Sequence, residues 1–227
     1  MDSIESDVAG AIAEGMALEK DLRWEEAAEV YGHALHRLAD SSDANPGLRA
    51  SRARLGLRKG NALRELARWE DARRTLDTAL HDAKASGDES VLAEALLAAG
   101  VFALNTGDRD RGEAFLMDAL ERFHRRDDEA SRRGRGWALL DLATLYGKTG
   151  RLDLAFVTLA KTREVLGDAG DWSGVAAAWE AQAQLRRALG DDDRWREDLA
   201  EAVILYDREG MAARADRLRP LLGRKLV

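Results

Sequence analysis

The chain predicts an all-α repeat fold, built from antiparallel helix pairs stacked side by side, on three observations. The stretch RWEEAAEVYGHALHRL, residues 23–38, recurs 45 residues later as RWEDARRTLDTALHDA, with the basic residue, Trp, acidic residue and Ala-Leu in the same order. Small residues fall at Gly15, Gly60, Gly100, Ala143 and Ala183, with steps of 45, 40, 43 and 40. Only 2 prolines occur in 227 residues, Ala, Leu, Arg and Glu are abundant, and no strand-like alternation appears, so local propensity favours helix nearly throughout.

Each element follows in turn. The first pair spans 4–20 and 24–39, with Gly15 midway along its first helix. Pro46-Gly47 opens the second pair, 48–66 and 69–85. Ser86-Gly87-Asp88 leads into 89–105, which should stop at Gly107 before 109–125, where the third copy is GDRDRGEAFLMDALERF. The fourth pair, 131–149 and 152–166, turns at Gly150 and carries GRLDLAFVTLAKTREVL. After Gly167-Asp168-Ala169-Gly170 comes the fifth, 172–189 and 193–208, whose copy GDDDRWREDLAEAVILY is the weakest. Asp108, Asp153 and Asp191 to Asp193 stand where second helices could be capped. A last helix, 211–222, has no partner and is expected to shield the end of the stack. The following GRKLV, basic and apolar, could instead bind a partner or a second copy. The repeats then run about 4–42, 48–87, 89–127, 131–170 and 172–210 in one domain over 1–227.

Mid-helix glycine costs about 1 kcal/mol relative to alanine. Three at equivalent sites need a compensating benefit. Close helix approach supplies it, because without a Cβ a neighbouring helix can set an apolar side chain against bare backbone.

These residues resemble the tetratricopeptide-repeat family, in its longer variants of about 40 residues per unit. The resemblance rests on the small mid-helix residue, an early Ala in the second helix (Ala27, Ala72, Ala155), an aromatic or Leu four residues on (Tyr31, Leu76, Leu159), and a later Ala-Leu (Ala34-Leu35, Ala79-Leu80, Ala119-Leu120). It covers about Val8 to Gly210, with departures at Gly112, Thr162 and Trp195. It implies a right-handed superhelical solenoid of five pairs plus a capping helix, with first helices lining a concave groove and second helices the convex side.

Helical spacing then assembles the groove. Arg54, Leu57, Arg58 and Asn61 come from the second pair, Leu97, Val101 and Leu104 from the third. Trp137, Leu140 and Thr144, beside Asp141, come from the fourth, and Glu180, Gln184 and Arg187 from the fifth. It reads basic at one end, apolar in the middle and mixed at the other. The matching partner is an apolar or amphipathic helix, or an extended peptide, with an acidic group near Arg54 and Arg58. Equally, Leu97, Val101 and Leu104 can belong to the core of a curved stack. The family's carboxylate clamp is absent: Asn61 suits it, but Leu57, Ala98, Trp137 and Asp141 occupy the positions where it needs Lys, Asn and Arg.

Other functions lack residues. With 35 Lys and Arg against 42 Asp and Glu, the net charge is −7, which disfavours general nucleic-acid or anionic-membrane binding. The Arg-rich stretches RASRARLGLRK and RRDDEASRRGRG have no stacking aromatics, and the second neutralises itself with Asp127, Asp128 and Glu129. No cysteine is present, and His33, His36, His81 and His124 all fall late in second helices without a third ligand, so neither a metal nor a cofactor site nor a catalytic group is expected. Of the 6 tryptophans, Trp24 and Trp69 should staple the helices of their own pairs, with Trp195 similar in altered register. Trp137, less constrained than these like Trp172 or Trp179, is the preferred binding anchor.

The expectation is therefore a non-enzymatic scaffold or adaptor holding a protein or peptide in its groove, cytoplasmic, with no membrane segment or leader. A bacterial source is suggested by Arg exceeding Lys and by the high Ala content. The alternatives are a structural subunit assembling through its tail and terminal faces, and a peptide sensor that changes superhelical pitch.

Overall fold

The computed structural model describes residues 2–39 and 45–223, with side chains from residue 6 onward. The last residues of the first expected repeat and residues 224–227 of the basic tail lie outside the described residues. Among the described residues there are eleven helices and no strand. They are α1 Asp2–Lys20, α2 Trp24–Leu38, α3 Pro46–Glu65, α4 Trp69–Ser86, α5 Glu89–Asn105 and α6 Arg109–His124. The rest are α7 Glu129–Lys148, α8 Leu152–Asp168, α9 Trp172–Ala188, α10 Asp192–Arg208 and α11 Ala212–Leu222. The fold is an all-α repeat, as the sequence predicts.

The helix ends separate into two kinds. From α3 onward first helices are capped by side chains: Asn45 Oδ1 accepts from the Gly47 and Leu48 N–H groups, Asp88 from Ser90 and Val91, Asp128 from Ser131, and Asp171 from Gly174. Second helices mostly are not, and Arg23, Arg68, Arg151 and Asp191 make no capping hydrogen bond. Asp108 alone of the expected second-helix caps accepts a backbone N–H, from Arg111 at 3.2 Å. What stops a first helix is a left-handed residue followed by a closing hydrogen bond. Gly107, Gly150 and Gly190 sit at φ 92°, 77° and 75°. The next residue's N–H then reaches back five positions, Asp108 to the Ala103 carbonyl, Arg151 to Tyr146 and Asp191 to Arg186, at 2.9 to 3.0 Å. In the first two repeats Leu22 and Ala67 occupy this position, at φ 58° and 57°, and carry the strain a side chain meets there.

The chain packs as two compact units, the first ending at Arg122 and the second beginning at Phe123. In the first, α1 packs on α2, α3 on α4, and each pair meets the next through α2 with α3 and α4 with α5. First helices also touch one another, α1 on α3 and α3 on α5. The small residues do what their cost demands. A Cβ on Gly15 would collide with the Tyr31 ring, one on Gly60 would lie 2.5 Å from Leu76 Cδ2, and one on Gly100 2.9 Å from Leu116. Leu76 and Leu116 are the Leu that the repeat places four residues after its early Ala or Gly, so knob and hole belong to one pair. Tyr31, Leu55 and Leu63 lead one core cluster, and Leu57, Leu76 and Val91 another.

In the second unit α7 packs on α8, α8 on α9, α9 on α10 and α10 on α11. Ala143 and Ala183 are about 1% exposed and fill the positions of the earlier glycines. Of the departures in this unit, Thr162 is satisfied locally, whereas the buried indole N–H of Trp195 has no hydrogen-bond partner. Thr162 is fully buried, but its hydroxyl donates to the Thr158 carbonyl at 2.9 Å, so no polar atom is stranded. Trp195 is 3% exposed and joins Leu199, Tyr206, Met211, Ala215 and Leu218 in one cluster. The last three come from α11 and the turn before it, so the final helix covers the fifth pair.

One of the two tryptophan staples changes. Trp24 packs against the first cluster, as a staple should. Trp69 is 42% exposed, and its ring tilts over Phe102 of α5 at 6.4 Å, so it leans on the next pair.

Candidate partner-binding surface

In the first unit, Arg54, Arg58 and Asn61 share a half-buried face of α3. Arg58 Nη1 donates to Glu19 Oε2 at 3.1 Å, and the other oxygen of Glu19 accepts from the Tyr31 hydroxyl at 2.8 Å. Burial and the adjacent Glu19 carboxylate push the Tyr31 phenol up, which keeps it a donor. Arg54 pairs with Asp88 at 3.4 Å. Glu94 of α5 lies near both guanidinium groups; burial pushes its carboxyl up, and Arg54 and Arg58 draw it partly back.

The basic end expected from sequence is thus corrected. Arg54 and Arg58 stand among Glu19, Asp88 and Glu94, and their charge is answered from within the chain. Both arginines keep about 40% of their side chains exposed, so their outer edges remain accessible.

Three apolar candidates are turned inward. Leu57, 6% exposed, belongs to the cluster with Leu76 and Val91. Leu140, 7% exposed, joins Ala143, Leu159 and Ala178. Leu104 lies where a Cβ on Gly112 would be, packed on the bare backbone of α6. Neighbouring helix positions differ by 100°, so Leu57 points into the stack while Arg58 does not. Leu97 and Val101 stay half-buried, and Met16 of α1, outside the groove residues expected from helical spacing, is 40% exposed.

In the second unit the polar candidates have partners of their own. The Trp137 indole N–H donates to Asp171 Oδ2 at 2.9 Å, and its ring packs on the Leu140 cluster. Asp171 also caps α9, accepting from Gly174 at 2.9 Å, so Trp137 braces a helix start. Thr144 donates back to the Leu140 carbonyl at 3.0 Å. Glu180 accepts from the Tyr206 hydroxyl at 2.9 Å and from Gln184 at 3.3 Å. Arg187, exposed, stacks 5.4 Å over the Trp195 ring. Asp198 and Gln182, almost fully buried, form a further network with Arg163 and Arg186 that the sequence did not announce. Its signal was a charged residue, Asp198, at a core position of a second helix.

The four histidines are exposed. Among the described residues no group of three or more His, Asp or Glu is placed to hold a metal ion, and no helix is long and apolar enough to cross a membrane.

No protein-family model matches the sequence, and no curated protein matches it. Solved structures share the fold. A Rap protein complexed with Competence and Sporulation Factor superposes with TM-score 0.66 at 14% identity, over 98% of this chain and 64% of that one. This chain therefore spans about two thirds of the Rap protein's length. BtubC (BKLC) from P. vanneervenii superposes with TM-score 0.58 at 17% identity, over 100% of this chain and 92% of its own.

Proposed function

We propose that the chain is a non-enzymatic adaptor of the tetratricopeptide-repeat kind that holds a segment of another protein against the first helices of its first unit. The observation that carries this reading is the surface of α1, α3 and α5, which adjoin directly and present Met16, Arg54, Arg58, Asn61, Leu97 and Val101. Apolar patches beside ionic groups suit an amphipathic helix or extended peptide. An acidic group on the partner would engage the outer edges of Arg54 and Arg58, in competition with Asp88 and Glu19. That a protein of like fold is known complexed with Competence and Sporulation Factor supports a binding role for such a scaffold.

A photoreactive side chain at Val101 is expected to crosslink a partner in cells, while one at Thr78, exposed on α4, is not. Equal crosslinking from both positions, or none from Val101, would defeat the assignment. The repeats are further proposed to act as one domain, and a single calorimetric transition is expected; two resolved transitions would divide it.

A further inference from the structure

The second helices do not all face water in the same way. Aligned on the early Ala, α2 presents Glu26 and Glu29 outward and α4 presents Asp71 and Arg74, but α8 presents Leu154 and Val157 at those positions. Leu154 is 45% exposed and Val157 67%, the highest value among the exposed large apolar residues. Ala160 continues the stripe, with Asp153 at one end and Lys161 at the other, all exposed. At 100° per residue these five positions fall within about 120° of the helix circumference, a single face.

The stripe is complementary to itself. Reversed about Val157, the sequence Asp153, Leu154, Val157, Ala160, Lys161 maps acid onto base, large onto small, and Val157 onto itself. We infer that α8 is a docking face for a second copy of this chain, the two α8 helices lying antiparallel across a two-fold axis through Val157. Asp153 then meets the partner's Lys161 at both ends, and Leu154 meets the partner's Ala160, whose small side chain lets the helices approach. A two-fold contact of this kind is isologous, so it closes at a dimer and does not propagate. Asp153 has no ion-pair partner among the described residues, and the Lys161 pair with Glu164, 2.7 Å, is exposed on both sides and readily exchanged. One helix contact buries far less than the roughly 1,600 Å² of a standard interface, so the dimer is weak and concentration-dependent.

Sedimentation velocity on the full chain, from micromolar to millimolar, tests this. The wild type is expected to shift from monomer toward dimer, and Val157→Asp to remain monomeric with an unchanged circular-dichroism spectrum. Asp153→Lys and Lys161→Asp each place like charges at both ends and should weaken association by roughly tenfold or more. Mixed in equal amounts, these two variants become complementary, and the mixture should associate more strongly than either alone. A wild type monomeric at every concentration, single variants that dimerise as well as wild type, or a mixture no better than its components would each overturn the inference.

Discussion

Replacing Gly60 with alanine tests the close approach on which the repeat depends. The added Cβ would lie 2.5 Å from Leu76 Cδ2 and 2.6 Å from its Cγ, about an ångström inside normal contact. Leu76 is 4% exposed in a packed cluster and cannot swing into solvent. Overpacking of this kind costs about 1–3 kcal/mol, while alanine in place of a mid-helix glycine returns about 1 kcal/mol. Gly60→Ala is therefore expected to destabilise by about 1 kcal/mol, and Leu76→Ala by about 2–5 kcal/mol through the cavity it leaves. In the Leu76→Ala background the clash is gone and only the propensity gain remains, so Gly60→Ala should there stabilise. The cycle then yields a coupling of about 2 kcal/mol, readable by urea denaturation followed by far-ultraviolet circular dichroism. A coupling below about 0.5 kcal/mol would refute the argument that Gly60 exists to admit Leu76.

Further outcomes follow from other positions. Ala67→Gly relieves a left-handed backbone that later repeats assign to glycine, and is expected to stabilise by about 0.5–1 kcal/mol; a loss of stability on chemical melting would contradict that. The Asp128 carboxylate, held down to about 2 by the Ser131 N–H and then by Arg126, contributes stability that is fully present above about pH 4 and is lost as pH falls through 2. Nuclear magnetic resonance titration should place its midpoint near 2, and Asp128→Asn, which keeps the cap, should flatten the acid limb; a midpoint at 4 would remove the cause. Trp137→Phe keeps a six-membered aromatic ring but loses the rest of the indole and its donor to Asp171, with an expected cost of about 1 kcal/mol or more, so an unchanged melting curve would contradict the bracing role.

By itself the sequence determined the helices, their pairing and the close approaches at Gly15, Gly60 and Gly100, because these rest on local chemistry. Apolar periodicity, turn glycines and a small residue recurring at repeat spacing all act within one pair, and α5 and α9 begin where their turn residues predict. Tertiary structure alone decided what each helix shows to solvent. Leu57 and Arg58 are neighbours with opposite fates, set by a rotation of the helix that no single segment encodes. The same holds for charge: nothing in the Arg-rich stretch of α3 foretells that Glu19, 39 residues away, would answer Arg58. Side-chain partners across helices depend on how rods nest, and nesting is a property of the packed pair.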